Sequence, residues 1–192
     1  MTAVPSPLRA DAVRNARVIL ATAEEVFREK GVDAPLDEIP RRVGVSRATL
    51  YRHFPSREHL FAAILKSKVE ALVMAGQTRI DYADRWQAVQ EWLDEYEGIG
   101  AEFRGMSARV GAAILDDRSP VGELCRPMKD AFAELFLRAQ DADEVRRDVT
   151  SADVLEIIAA LPRDETTGRA NPMHLRVVME GLRSKALAGL RG

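Results

Sequence analysis

Cysteine is nearly absent from this chain: Cys125 is the single one among 192 residues. That excludes an intrachain disulfide and fits a reducing, intracellular setting. Histidine is scarce as well, with three copies, and these together with one cysteine show no metal-ligand spacing, so no metal is expected. No run of about 18 apolar residues exists, so no membrane span is expected. The opening MTAVPSPLRADAV has no apolar core of the secretory kind. Sustained apolar–polar alternation is missing too, which argues against strands. There is no Gly-x-Ser-x-Gly elbow. "GIGAEF" resembles a dinucleotide loop, but it has neither the third small residue nor a preceding strand, so no cofactor is expected.

Acid is the other shortage, confined to one stretch. Between Arg41 and His59 there are five Arg and one Glu, although the whole chain carries a net charge of −2. Residues 1–68 hold 12 Lys/Arg against 8 Asp/Glu; the remainder holds 16 against 22. A polyanion can bind the first third while the rest repels it, or the basic stretch is simply a solvated face.

What is present reads as helix almost throughout. In "RNARVILATAEEVFREKG", Ala16, Ile19, Leu20, Ala23 and Phe27 form one apolar stripe, and Gly31 supplies the stop. Pro35 suits the first turn of a short helix to about Val43, closed by Gly44. Ser46 is a good N-cap for a third helix to about Phe54. Pro55-Ser56 ends that helix and caps a fourth, which runs to about Gly76. Further helices are expected over roughly 84–104, 106–116, 120–140, 151–161 and 172–189, with Ser119-Pro120 and Asn171-Pro172 as cap-then-proline starts. Pro127 is expected to interrupt the helix begun at Pro120. "LPRDETTGRANP" is the most loop-like stretch. The fold class is therefore all-α, with about nine helices.

Two short helices joined by a tight glycine turn form a helix-turn-helix, whose second helix reads DNA in the major groove. On a helical wheel, Leu50 and Phe54 point one way, with Ile39, Val43 and Val45 available beneath them. Opposite Leu50 lie Ala48 and Arg52. Arg pairs bidentately with guanine, and a methyl group such as that of Ala48 meets thymine. Thr49, Tyr51, His53 and Arg57 suit phosphates, and Arg47 sits in the first turn. Two alternatives stand beside this reading: Tyr51 as the edge of a small core, and His53 as a C-terminal helix cap.

"GVSRATLYRHFPSREHLFAAIL" resembles the DNA-binding signature of the TetR family of bacterial transcriptional regulators, closely from Leu36 to about Leu65. "EVRRDVTSADV" is similar to the family's approach to its penultimate helix. The resemblance implies residues 1–55 as a helix-turn-helix DNA-binding domain and 56–192 as a helical effector-binding and dimerisation domain, with 56–76 the connecting helix. It implies a homodimer on a palindromic operator, usually as a repressor, and no enzyme. The family's DNA contacts map to Arg47, Ala48, Thr49, Tyr51, Arg52, His53 and Arg57. It also implies a small-molecule effector pocket in the body, whose candidate lining is Trp92, Tyr96, Phe103, Met106, Met128 and Phe132; such residues at helical spacing equally suit plain core. The dimer seam it implies lies on the last two helices, with Leu155, Ile158, Leu175, Val178, Met179 and Leu182 as candidates. A cytoplasmic, nucleoid-associated protein follows. One position departs from the pattern: Pro40 stands where the family usually has Ala, which raises a kinked or displaced second helix. Two other readings remain: a regulator without a ligand, partner-controlled or activating, and a helical enzyme or carrier with a solvated basic face.

Overall fold

The computed structural model describes residues 7–102, 113–114, 116–164 and 166–184. Among these are eight helices and no strands: α1 (Pro7–Lys30), α2 (Glu38–Val43), α3 (Arg47–His53), α4 (Arg57–Arg79), α5 (Arg85–Ala101), α6 (Pro120–Asp141), α7 (Ser151–Ala160) and α8 (Pro172–Leu182). The helix expected over 106–116 falls mostly outside the described residues; Ala113 and Ile114 are helical.

The apolar stripe of α1 is buried as its period requires, through Ile19, Ala23, Val26 and Phe27. Gly31 ends the helix in the left-handed region at φ 85°, and its N–H donates to the Phe27 carbonyl at 2.9 Å. Ser46 and Ser56 cap α3 and α4 through the amides of Thr49 and His59. Ser119 caps α6 in the same way, and Thr150 with Asp153 forms a capping box on α7.

Three expectations about helix limits change. Gly76 is no stop: α4 runs on to Arg79, and Gly76 is where α4 lies tightly against α6. A Cβ there would stand 3.1 Å from the Ala131 Cβ and 3.4 Å from the Trp92 Nε1. Pro127 does not interrupt α6. It lies on the solvent side, while Val121, Cys125, Met128, Phe132, Leu135 and Ala139 form the buried stripe. The carbonyl it frees is that of Glu123, an exposed residue, so water can satisfy it. The last helix stops at Leu182 instead of running to 189. Arg183 turns extended and bridges Val145, and the Arg146 amide donates to the Leu182 carbonyl at 2.9 Å.

The body is held by an aromatic stack. Trp92 of α5 lies 4.4 Å from Phe132 of α6 and 5.7 Å from Tyr96, ring centroid to centroid. Its indole N–H donates to the Leu72 carbonyl of α4 at 2.9 Å, so three helices meet at one side chain.

Candidate nucleic-acid interface

The site begins with a glycine that only its backbone explains. Gly44 has φ 78°, and a Cβ there would meet nothing within 4 Å. It is required by conformation, not by space. Its amide and that of Val45 both donate to the Pro40 carbonyl, at 2.9 and 3.0 Å, which closes α2 and turns the chain into α3. On α3, Leu50 is fully buried and Phe54 packs half-buried against the core that includes Ile39.

Pro40 neither kinks nor removes α2, because the helix starts late. Residues 35–37 form a tight turn in which the Glu38 and Ile39 amides donate to the Pro35 and Leu36 carbonyls. Pro40 thus becomes the third residue of α2, inside the first turn, where an N–H has no helical partner to lose.

On the outer face of α3, Ala48, Tyr51 and Arg52 are exposed. Thr49 is half-buried, with its hydroxyl 2.9 Å from that of Ser46. The five arginines of the basic stretch divide sharply. Arg42 is clasped by Glu38 and Glu29, which raises its pKa further and pulls both carboxyls below their usual range; Lys30 also binds Glu38. Arg47 pairs with Asp37. Arg57 turns inward: it donates to the Val32 carbonyl, and its guanidinium lies 5.8 Å over the Phe27 ring. Of these five, Arg41 and Arg52 are exposed with no ion pair among the described residues. His53 differs from expectation in another way, because its Nε2 is buried with no hydrogen-bond partner.

In the body, Trp92, Tyr96 and Phe132 stack on one another, and Met128 is buried in the same core. Phe103 and Met106 lie outside the described residues. Burial raises the Tyr96 phenol above its ordinary range and pushes the Cys125 thiol up to about 11, so that thiol is held neutral. Among the described residues, two clefts lie elsewhere. One, of about 530 Å³, is lined by Lys68, Leu72, Ile99, Glu102 and Arg169, with others of α4 and α5. The other, of about 360 Å³, lies between α5 and α8 and includes Leu175 and Met179.

The six candidate seam residues divide by burial. Leu155, Ile158 and Leu182 are buried in the chain's own core, and Leu175, Val178 and Met179 are half-buried against it. The apolar side chains left exposed on α7 and α8 are Ile157, Met173 and Val177, at 45%, 54% and 61%. Ile157 and Val177 lie one position from Ile158 and Val178, and Met173 two from Leu175, because the inward side of each stripe packs within the chain.

Two family models match the chain. Residues 19–64 match bacterial regulatory proteins of the tetR family, and residues 86–184, just over half the chain, match the C-terminal domain of SbtR-like transcriptional regulators. The chain belongs to the TetR family. This TetR-family regulator is 40% identical over 92 residues to the HTH-type transcriptional activator FasR of Mycolicibacterium smegmatis, across 45% of this chain and 42% of that protein. It is 35% identical over 81 residues to the uncharacterized HTH-type transcriptional regulator TtgW of Pseudomonas putida, across 42% of this chain and 60% of that one. The chain thus spans about two to three fifths of the length of these relatives. The crystal structure of the TetR transcriptional regulator SCO0520 from Streptomyces coelicolor is 28% identical, with a TM-score of 0.53 over 88% of this chain and 99% of that one. The TetR-family chain is accordingly a transcriptional regulator and not an enzyme. No helix among the described residues is long and apolar enough to cross a membrane.

Reading the TetR-family sequence alone missed the acidic partners that surround its reading unit. The i,i+4 spacing of Glu38 and Arg42 was a usable signal. Nothing local marks Asp37 as a partner of Arg47, ten residues on.

Proposed function

We propose that this regulator binds a palindromic double-stranded DNA operator as a homodimer, with α3 in the major groove, and represses until a small-molecule effector releases it. The observation that carries the reading is the outer face of α3. Ala48 and Arg52, one turn apart, stand exposed opposite the buried Leu50, and Arg52 has no ion-pair partner among the described residues. In this reading residues 1–55 form the DNA-binding domain and 56–192 the effector and dimer domain. Ala48 and Arg52 meet base edges; Thr49 and Tyr51 meet phosphates. Arg57 acts first as a brace between α4 and the Val32 turn, and His53 as part of the floor beneath α3.

Binding-site selection from random DNA with the purified chain tests this and returns the operator. Arg52→Ala is expected to weaken operator binding by about 1–3 kcal/mol and relax preference at one base pair per half-site. Selection repeated with the variant checks it, and an unchanged operator would mean that another face reads the bases.

The exposed Ile157, Met173 and Val177 support α7 and α8 as the seam with a second copy. Val177→Glu is expected to raise the dimer dissociation constant at least about tenfold, because a carboxylate is desolvated at the seam. Sedimentation at micromolar concentration reads the change, and a variant as dimeric as the parent would move the seam elsewhere. For the effector, the cleft beside Lys68, Leu72, Ile99 and Arg169 has a volume within the usual small-molecule range. The protein acts in the cytoplasm, at the nucleoid. Activation is the second reading, supported by the likeness to FasR, which is named an activator. Reporter transcription with and without the protein distinguishes the two.

A further inference from the structure

We propose that Asp37 sets DNA specificity by holding the Arg47 guanidinium away from the phosphate backbone, an inference that rests on α3 being the DNA-reading helix. Asp37 occupies the N-cap position of α2, where an Asp carboxylate ordinarily accepts from the amide of the second or third helical residue. Neither is available. The third residue is Pro40, which has no N–H, and the second, Ile39, donates its N–H to the Leu36 carbonyl at 3.1 Å. Asp37 accordingly makes no side-chain cap, and its backbone lies in the right-handed helical region at φ −64°, ψ −20°, not in the extended region usual for a cap. The carboxylate released in this way pairs with Arg47, the first residue of α3. Pro40 thus changes the interface without bending the helix that supports it.

The consequence is electrostatic. A guanidinium at the start of α3 is a ready phosphate contact on any sequence, and each such contact adds affinity that carries no sequence information. Paired with Asp37, Arg47 contributes no net charge at that spot. Backbone binding is lowered while the base-reading pair Ala48 and Arg52 is untouched, and the ratio of operator to random-sequence binding rises.

The test measures the affinity of the full-length chain for the selected operator and for a random duplex as a function of salt. Asp37→Ala is expected to steepen the slope of log affinity against log salt by about 0.9, to raise random-duplex affinity roughly 5–10-fold near 0.1 M salt, and to lower the operator-to-random ratio. Asp37→Ser, which keeps a short polar cap residue, should match it, and Asp37→Glu should return the slope toward the parent's. In an Arg47→Ala background, Asp37→Ala should leave the slope unchanged. An unaltered or shallower slope in Asp37→Ala overturns the inference, as does an effect that persists without Arg47. A parent chain with no salt-dependent DNA binding overturns the reading of α3 itself, and this inference with it, before any variant is made.

Discussion

Glu97→Ala is expected to destabilise the chain by about 3–5 kcal/mol, the cost of leaving a partly buried cation without its counter-charge. Glu97 is 1% exposed in the middle of α5. Its carboxylate accepts from Arg163 Nη1 at 2.9 Å, from Arg169 Nη1 at 3.1 Å and from the Ala170 amide at 2.7 Å. These bonds seat the 161–171 connection on α5. Two close approaches show how tightly it sits: a Cβ at Gly100 would stand 2.6 Å from the Arg163 guanidinium, and one at Gly168 would stand 2.1 Å from the Ala101 carbonyl oxygen. Within "GIGAEF", Gly100 thus lies directly under the Arg163 guanidinium, whereas a Cβ at Gly98 would make only an ordinary contact, 3.5 Å from Arg169 Nη2. Without Glu97 the Arg163 guanidinium keeps only carbonyl partners in a largely buried site, and its Nε already has none. Glu97→Gln should cost less, because the amide oxygen still accepts from Ala170. Denaturant unfolding of the two variants measures the difference; an Ala variant as stable as the parent would show that the connection is held by other contacts.

Phe132→Ala is expected to cost about 3–5 kcal/mol, the loss of a buried aromatic ring plus the cavity it leaves. Phe132 is fully buried between Trp92, at 4.4 Å, and Phe136, at 5.6 Å. Trp92 is itself fixed by its bond to Leu72, so it cannot swing in to fill the gap. The site should stay open and apolar, and benzene should bind it and restore part of the loss. The midpoint of denaturant unfolding, with and without benzene, reads both effects. A loss below about 1 kcal/mol would mean that the stack collapses onto the space. The same geometry stacks Tyr96 and Phe132, two of the residues named as candidate pocket lining, against Trp92, a third, while Met128 is buried in the same core.

The faces of the short helices were legible from spacing alone. Leu50 buried and Ala48 and Arg52 outward follow from a 100° step applied over seven residues, a range too short for error to accumulate. The stripe of α1 was legible for the same reason, and the caps at Ser46, Ser56, Ser119 and Asn171 because a cap involves only three or four neighbouring residues. The site was less legible in its charges. Five arginines in one stretch read as one basic patch, yet three of them are engaged within the chain: Arg42 by Glu29 and Glu38, Arg47 by Asp37, and Arg57 by the Val32 carbonyl and Phe27. Local rules also misjudged Gly76 and Pro127. Glycine and proline weaken helices in isolation, but Gly76 is fixed by the approach of Ala131, and Pro127 sits where solvent can take the carbonyl it frees.

By itself, then, the sequence determined the helical class, the order of the helices and the outward face of α3, because each depends on residues within a few positions of one another. Only the tertiary structure decided which arginines face solvent, which apolar side chains of α7 and α8 stay exposed, and how Glu97 anchors a connection 66 to 73 residues away. Those outcomes depend on which distant side chains reach the same point first. Pro40 stands between the two. Its effect on α2 is local, but the carboxylate it sets free is answered by a charge on the next helix.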